Sequence, residues 1–210
     1  GANTLTSTAF NDTIDGGAGN DVIVLTGGTN SVDGGAGANT INVTVDQVFT
    51  GAAASLQNVQ TASLSSDADL TIDYTDSAAF GGALATVTGV AGGATENLIV
   101  TGASTNSGTA FQGFFNTGAM GLTNVTLNYQ GGTDNERVFA SSEADVLDGG
   151  QGADILIGNA GSDTLTGGDG QDTFFVAGTK STTQFDTITD FVIGTTANSD
   201  TLDLATFTQH

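Results

Sequence analysis

Basic side chains are almost absent from this chain of 210 residues. Lys and Arg together number 2, against 23 Asp and Glu, and the formal net charge is −21. Proteins hold nucleic-acid phosphates with clusters of Lys and Arg, so nucleic acid is not an expected partner. The same charge disfavours an anionic membrane surface, and no apolar run approaches the length of a membrane-spanning helix. We therefore expect neither nucleic-acid binding nor membrane insertion.

Cysteine and proline are also absent, and histidine occurs once. Without Cys the chain has no disulfides and no thiolate metal ligands, and His210 alone does not build an H-E-x-x-H zinc site. No G-x-S-x-G nucleophile motif occurs. The only cationic side chains, Arg137 and Lys180, leave oxyanion or phosphate chemistry without its usual electrophiles. The composition therefore predicts a protein that is not an enzyme.

Glycine is abundant, and much of it lies in nine-residue repeats. The segment 149–175 reads GGQGADILI, GNAGSDTLT and GGDGQDTFF, three units of the pattern G-G-x-G-x-D-x-U-x, in which U is a large apolar residue. The acid of each unit is Asp154, Asp163 or Asp172, and Leu156, Leu165 and Phe174 fill the apolar position. A fixed short period predicts a solenoid rather than an ordinary globular core.

The spacing of the acids predicts a metal. Glycine-rich turns followed by short strands wind into a flattened coil with two units, eighteen residues, in each revolution, so Asp145 stacks over Asp163 and Asp154 over Asp172. Stacked carboxylates repel each other unless a cation lies between them. Calcium suits this position because it takes six to eight oxygen ligands in flexible geometry, whereas zinc favours His and Cys. We expect several Ca²⁺ ions.

These three units, together with GGAGNDVIV at 16–24, resemble the RTX (repeats-in-toxin) calcium-binding proteins of type I secretion. The later segment, with DTITDF at 186–191 and DTLDL at 200–204, is similar to the one that follows RTX repeats in such proteins. By that resemblance Asp186 and Asp190 are candidate ligands closing the last turn, and the segment is an uncleaved export signal. Its apolar residues predict a cap on the solenoid: Ile188, Phe191, Val192, Leu202 and Leu204.

The nine-residue phase extends to weaker units. Counting back from Asp154 gives Asp145 and then Glu136, which is either a weaker ligand or a solvated acid beside Arg137. In the N-terminal block the acidic position pairs Asp with Asn, so calcium there should bind more weakly, and asparagine ladders replace the metal in part of it. The predicted ligands of all blocks are Asp12, Asp21, Asn30, Asn39, Glu136, Asp145, Asp154, Asp163, Asp172, Asp186 and Asp190.

The predicted fold class is all-β, a parallel β-roll or β-helix solenoid with an irregular β-rich middle. Four segments are expected: an N-terminal β-roll at 1–42, an irregular β-helix or β-sandwich insert at 43–130, a C-terminal β-roll at 131–175, and a cap at 176–210. Within the insert, 48–58 and 77–84 are candidate helical turns. Phe111, Phe114, Phe115 and Met120 indicate a local core.

The function predicted is that of a secreted structural protein, a surface-layer or fibre subunit, which folds with calcium outside the cell and assembles with other copies of itself. Some calcium-dependent surface-layer proteins carry RTX repeats, and cell-surface polysaccharide is a further possible partner. The alternative is an RTX calcium-binding and secretion module excised from a larger enzyme, toxin or adhesin. An enzyme in its own right would need activity from the acids between Asp67 and Asp76. Asp67 and Asp69 either share a cation on one strand face or are solvated.

Overall fold

The computed structural model describes residues 1–49, 55–65, 67–73, 86–88, 96–101, 113–116, 122–133, 135–176, 184–194 and 198–204. In these ranges all regular structure is β-strand, and they contain no helix long and apolar enough to cross a membrane. The chain divides into two compact units: unit 1 is Gly1–Val100 with Ala119–Val125, and unit 2 is Thr101–Gly118 with Thr126–His210.

Unit 1 is a stack of short parallel strands. Its largest sheet has the order β1-β3-β5-β8-β10-β13, a second has β2-β4-β7, and β6 pairs with β9. The strands of this unit are β1 Thr4–Thr6, β2 Thr13–Asp15, β3 Val22–Leu25, β4 Ser31–Asp33, β5 Thr40–Val43, β6 Gln47–Phe49, β7 Leu56–Gln57, β8 Thr61–Leu64, β9 Leu70–Asp73, β10 Thr86–Thr88, β11 Asn97–Thr101, which ends at the unit boundary, and β13 Leu122–Thr123.

The register of unit 1 follows the sequence period and then departs from it. Val22 lies beside Thr4 and Thr40, each eighteen positions away, as two nonapeptides per revolution require. Beyond the repeats, Thr40 pairs with Thr61 and Thr61 with Thr86, so the coil lengthens to 21 and then 25 residues per turn. The strands stay parallel while the turns between them grow.

Unit 2 is built in the same way. It contains a five-stranded sheet of order β12-β15-β18-β21-β23, the run β14-β16-β19-β22 and the pair β17-β20, all parallel. Its strands are β12 Gly113–Asn116, β14 Thr126–Gln130, β15 Glu136–Phe139, β16 Val146–Asp148, β17 Gln151–Gly152, β18 Ile155–Ile157, β19 Thr164–Thr166, β20 Asp169–Gly170, β21 Thr173–Phe175, β22 Thr187–Ile188 and β23 Thr201–Asp203.

Each repeat sends one apolar side chain into the interior of its unit. Those of unit 2, at the predicted apolar positions, are fully buried and stack on one another: Val138, Leu147, Leu156, Leu165 and Phe174. The interior is therefore a column of aliphatic and aromatic side chains, one per half-turn. The all-β parallel solenoid expected from the sequence is confirmed.

The middle of the chain continues the solenoid in the residues that are described. Strands β6, β8, β9, β10 and β13 all pair in parallel with their neighbours, which favours the irregular β-helix over the sandwich. The predicted helical turn at 48–58 is wrong where it is described, because Gln47–Phe49 and Leu56–Gln57 are strands. The other candidate, 77–84, lies outside the described residues.

The aromatic group predicted in the middle is only partly described. Phe114 and Phe115 lie in β12, which pairs with β15, whereas Phe111 and Met120 lie outside the described residues. The apolar cap after residue 176 is also partial. Phe191 packs against Phe174, with 6.0 Å between ring centroids, and Ile188 is half-buried. The other three predicted members of the cap are exposed: Val192, Leu202 and Leu204.

Candidate metal centre

The acid of each repeat lies at the junction of turn and strand. In the C-terminal block Asp154, Asp163 and Asp172 each directly precede a strand, and each is 1% exposed. The second glycine of the repeat turns the chain: Gly150 and Gly168 have φ of +91° and +92°, a region that a Cβ disfavours. The tight turn brings the acid back over its own loop.

The acids stack as the period predicts. Asp154 accepts a hydrogen bond through Oδ1 from the backbone N–H of Glu136 at 2.7 Å, and Asp172 accepts one from Asp154 at 2.9 Å. On the opposite side of the coil, Asp163 accepts from the N–H of Asp145 at 2.9 Å. We call such a column an acid ladder. One oxygen of each carboxylate accepts the backbone hydrogen bond that links it to its neighbour in the column.

The second oxygen has no donor. Oδ2 of four acids is buried without a hydrogen-bond partner: Asp21, Asp154, Asp163 and Asp172. Each of these oxygens lies against the first glycine of its own repeat, where a Cβ on Gly16 would lie 2.8 Å from Asp21 Oδ2 and 2.6 Å from the Gly34 carbonyl oxygen. At Asp21 and Asp154 the Oδ2 atom and a main-chain carbonyl oxygen thus lie close to the same point, and the Oδ2 atom has no donor. Such an arrangement costs free energy unless a cation compensates it.

A calcium ion fits this donor set. No three acidic or histidine side chains converge closely enough to hold a metal on their own within the described ranges. Main-chain carbonyls would supply further ligands, such as Gly167 O, which lies 2.7 Å from a Cβ placed on Gly149 beside Asp154 Oδ2. Calcium accepts carboxylate and carbonyl oxygens together at variable coordination number. When bound, it supplies the positive charge that these oxygens otherwise lack.

The electrostatics of the metal-free ladders agree with that assignment. Burial raises the pKa of Asp154 to about 9, and the neighbouring Glu136 and Asp172 carboxylates add to the effect against an opposing N–H bond. Burial likewise raises the pKa of Asp163 to about 7 and that of Asp145 to about 6. Without a cation these sites therefore favour a proton.

Asp12 and Asp145 are placed differently from the four acids with a free oxygen. Oδ2 of Asp145 accepts from the N–H of Ser141 at 2.8 Å, and the Ser141 hydroxyl donates as well. Asp12 has the same arrangement with Thr8, whose N–H lies 2.7 Å from Asp12 Oδ2 and whose hydroxyl lies 2.9 Å away. In both cases a hydroxyl residue lies four positions before the Asp, where the repeats of Asp21, Asp154 and Asp172 have their second glycine.

The predicted amide positions also lie in ladders. Oδ1 of Asn39 accepts from the N–H of Asp21 at 2.9 Å, and Oδ1 of Asn30 accepts from the N–H of Asp12 at 3.1 Å. Both Asn side chains are buried, as is Glu136, which precedes Asp154 in its ladder.

The terminal segment closes both ladders of unit 2. Asp186 accepts from the N–H of Asp163 at 3.1 Å. Asp190 does not stack; its two oxygens accept from the N–H groups of Gly167 and Gly168 at 2.9 and 2.7 Å. Asp190 therefore stabilises the last repeat turn.

Three ladder members were missed from the sequence, one of them Gln60, whose Oε1 accepts from the Asn39 N–H at 2.6 Å. Asp200 accepts from Asp172 through Oδ1 and from the Val192 N–H through Oδ2. It lies 28 positions after Asp172, so the eighteen-residue count passes over it, although the DTLDL motif contains it. Asn3 donates its N–H to Asp21 at 2.7 Å. It lies exactly eighteen positions earlier, so extending the count by one revolution would have found it.

Asp67 and Asp69 do not lie on one strand face; the acids at the other end of this group, from Asp73 to Asp76, have no described side chains. Asp67 is exposed in a turn with φ of +63°, so it does not alternate with Asp69 on a strand. Asp69 Oδ1 instead accepts from the backbone and side-chain N–H groups of Asn97, both at 2.9 Å.

Comparison with known protein families identifies the repeats. The chain matches the RTX calcium-binding nonapeptide repeat in four copies, over residues 1–32, 25–43, 130–165 and 148–178. No curated protein and no solved structure matches the chain. RTX repeats bind several calcium ions in an array, form a structural rather than catalytic fold, and occur in proteins exported by type I systems. The chain thus carries two blocks of the RTX calcium-binding nonapeptide repeat, one at 1–43 and one at 130–178.

Proposed function

We propose that this chain is an extracellular structural protein, without catalytic activity, whose folding is triggered by calcium and whose folded copies assemble with one another. The observation that carries the calcium part is the set of buried Oδ2 atoms without donors at Asp21, Asp154, Asp163 and Asp172. Of the predicted ligands, these four are the ones we assign to calcium.

The trigger follows from the energetics of these carboxylates. At neutral pH in the absence of metal, folding must bury stacked acids in a chain with a net charge of −21, which desolvation and mutual repulsion oppose. Extracellular calcium sites typically bind at about 10⁻⁴–10⁻³ M, so the ladders are poorly filled in the cytoplasm and filled outside. Metal binding then becomes folding free energy, and the chain remains export-competent until it leaves the cell.

Assembly is supported by the surface of the terminal segment. Phe185 is 70% exposed and Ile193 is 88% exposed, close in sequence to the exposed Val192. In the same unit β22 and β23 are edge strands of their sheets. Unpaired strand edges beside exposed apolar side chains invite pairing with another chain. The partner proposed is therefore a second copy of this chain; cell-surface polysaccharide is a secondary candidate, and nucleic acid and membrane are not proposed.

Light scattering across a calcium titration, followed by chelator, tests the proposal. Growth from monomer to large particles at millimolar calcium, reversed by chelator, is the expected result. Compaction without growth would contradict assembly and favour the alternative, a calcium-binding module of a larger exported protein. The absence of any calcium-dependent change in circular dichroism would contradict the trigger itself.

Paired variants distinguish calcium-dependent folding from assembly. Phe185→Ser with Ile193→Ser should leave calcium-dependent folding unchanged and reduce particle growth. As a matched control, Val45→Ser removes an exposed apolar residue of unit 1 and should leave growth unaltered. Equal loss of growth in both would contradict the assignment of the terminal surface.

A further inference from the structure

The Asn39 side chain occupies the place in its repeat that Asp21 occupies one revolution earlier. Both residues follow a G-G-x-G turn, and both lie against the first glycine of that turn. A Cβ on Gly34 would lie 2.7 Å from Asn39 Nδ2, just as one on Gly16 would lie 2.8 Å from Asp21 Oδ2. At this position the two turns therefore differ by one group, an NH₂ in place of a carboxylate oxygen.

The orientation of this amide is fixed by its neighbours. Oδ1 of Asn39 accepts the N–H of Asp21, so Nδ2 must point into the turn. There it donates to the carbonyl oxygens of Asn58 at 2.9 Å and of Gly35 at 3.3 Å. Each N–H has an oxygen, and the group is fully buried.

The carbonyls that receive these bonds match those around Asp21. Asp33 pairs with Gln57 in the sheet, which places Asn58 O above Gly34 as Gly34 O lies above Gly16. Asn3 repeats the pattern one revolution earlier, where its Nδ2 donates to Gly16 O at 3.4 Å. In this ladder amides therefore face carbonyls on both sides of one carboxylate.

We propose that the Asn39 amide takes the position of a calcium ion and closes its turn without metal. The N–H groups supply the partial positive charge that the surrounding oxygens require, whereas Asp21 leaves its Oδ2 without a donor. The N-terminal block thus keeps a metal-independent turn inside a calcium-binding array. The inference rests on calcium binding by the acid ladders, as the proposed function does.

The exchange Asn39→Asp in the full chain tests the inference. It replaces the donor by a second oxygen facing Asn58 O and Gly35 O, so the number of bound calcium ions measured by titration calorimetry should rise by about one. Asn20→Asp adds the same charge at an exposed neighbouring position and should leave the number unchanged. The reverse change, Asp21→Asn, should lower it by about one.

Hydrogen exchange of the unaltered protein provides a second measurement. In chelator, amides of Thr40–Val43 should remain protected while those of Thr164–Thr166 lose protection. Loss in both segments, or an unchanged calcium number in a folded Asn39→Asp protein, would overturn the inference. Protection of both segments in chelator would instead contradict the calcium trigger of the proposed function, and the Asn39→Asp titration would still decide the role of the amide.

Discussion

The two units use the same turn but fill it with different side chains. In unit 1 the ladder through Asp21 has amides on both sides of one carboxylate, and Asn39 satisfies its turn with its own N–H groups. In unit 2 the corresponding positions carry carboxylates throughout, three of which have a buried oxygen without a donor. The two units therefore share the shape of the turn and differ in the atom that faces the carbonyls, and this atom sets the calcium demand that we propose.

This difference implies unequal dependence on metal. A buried carboxylate oxygen without a donor opposes folding by roughly 1–3 kcal/mol or more. Among the aspartates of the described residues, unit 2 has three such oxygens and unit 1 has one, at Asp21; Glu96 Oε1 is a further one in unit 1. We expect unit 1 to tolerate calcium removal better than unit 2.

The largest effect is expected from Asp154→Ala. It removes an oxygen of the proposed calcium site and the ladder bond to the Glu136 N–H, so the calcium concentration at the folding midpoint should rise about tenfold, which corresponds to about 1.4 kcal/mol. Circular dichroism during a calcium titration measures the midpoint.

Glu143→Ala is the matched control, because Glu143 lies in the same block and is exposed. It changes the net charge equally and should leave the midpoint near the wild-type value. Equal shifts in both proteins would mean that overall charge rather than the buried oxygen sets the calcium requirement.

Two glycine substitutions distinguish the effect of a methyl group placed between the oxygens from the effect of backbone strain. A Cβ on Gly16 would lie within 2.8 Å of both Asp21 Oδ2 and Gly34 O, whereas a Cβ on Gly17 meets nothing within 4 Å. Gly16→Ala should therefore abolish calcium binding at this turn. Gly17→Ala should lower the free energy of unfolding by about 1 kcal/mol because Gly17 has a φ of +81°, while the ion is kept. Calorimetric calcium counts distinguish the two, and loss of the ion in both would contradict the placement of the site.

The response to pH should differ between the units. In the metal-free protein the pKa values of Asp154 and Asp163 rise from 3.8 to about 9 and about 7. The folded state thus binds protons more tightly than the unfolded state between about pH 4 and 9, so lowering the pH across this window stabilises the metal-free fold, and raising it removes that stability. Protons compete with calcium for the same oxygens, so calcium affinity should fall in parallel.

Thermal unfolding in chelator at pH 5 and pH 8 measures this response. The melting temperature should be higher at pH 5. Hydrogen exchange should show a larger gain in unit 2, where the pKa values of Asp154 and Asp163 are raised, than around Asn39, whose amide does not titrate. A higher melting temperature at pH 8 would contradict the sign, and equal gains in both units would contradict the difference between them.

The sequence predicts the fold wherever the nine-residue period holds. Positions such as Leu156 and Leu165 could be assigned to the interior because the period fixes both register and face. Beyond the period, prediction fails for physical reasons. Asp200 joins its ladder across 28 residues, and a turn of that length has no sequence signal that fixes its end. The helical turn predicted at 48–58 is wrong because pairing with neighbouring strands overrides local propensity, so 47–49 and 56–57 are strands.

The sequence predicts which residues of the candidate site stack on one another, but not which of their oxygen atoms lack a hydrogen-bond donor. The eighteen-residue count identifies Asp145 and Asp163 equally as stacked acids. Only the structure reveals that Ser141 already satisfies Asp145, whereas Asp163 has an oxygen without a donor. That distinction depends on which backbone and hydroxyl groups point into the turn, and it changes the predicted ligands from every acid in the period to a subset.

The smallest expected effect tests that hydroxyl in both units. Ser141→Ala removes a buried donor to Asp145, and Thr8→Ala removes the exposed equivalent to Asp12. A net hydrogen bond contributes about 0.5–1.5 kcal/mol, so Ser141→Ala should lower the free energy of unfolding by about 1 kcal/mol in saturating calcium. Thr8→Ala should lower it by less, because water replaces the lost donor. Urea denaturation at fixed calcium measures both. If Ser141→Ala instead gained stability and one additional bound ion, the hydroxyl would be shown to exclude calcium from Asp145, and unit 2 would hold a vacant position of the kind that Asn39 fills in unit 1.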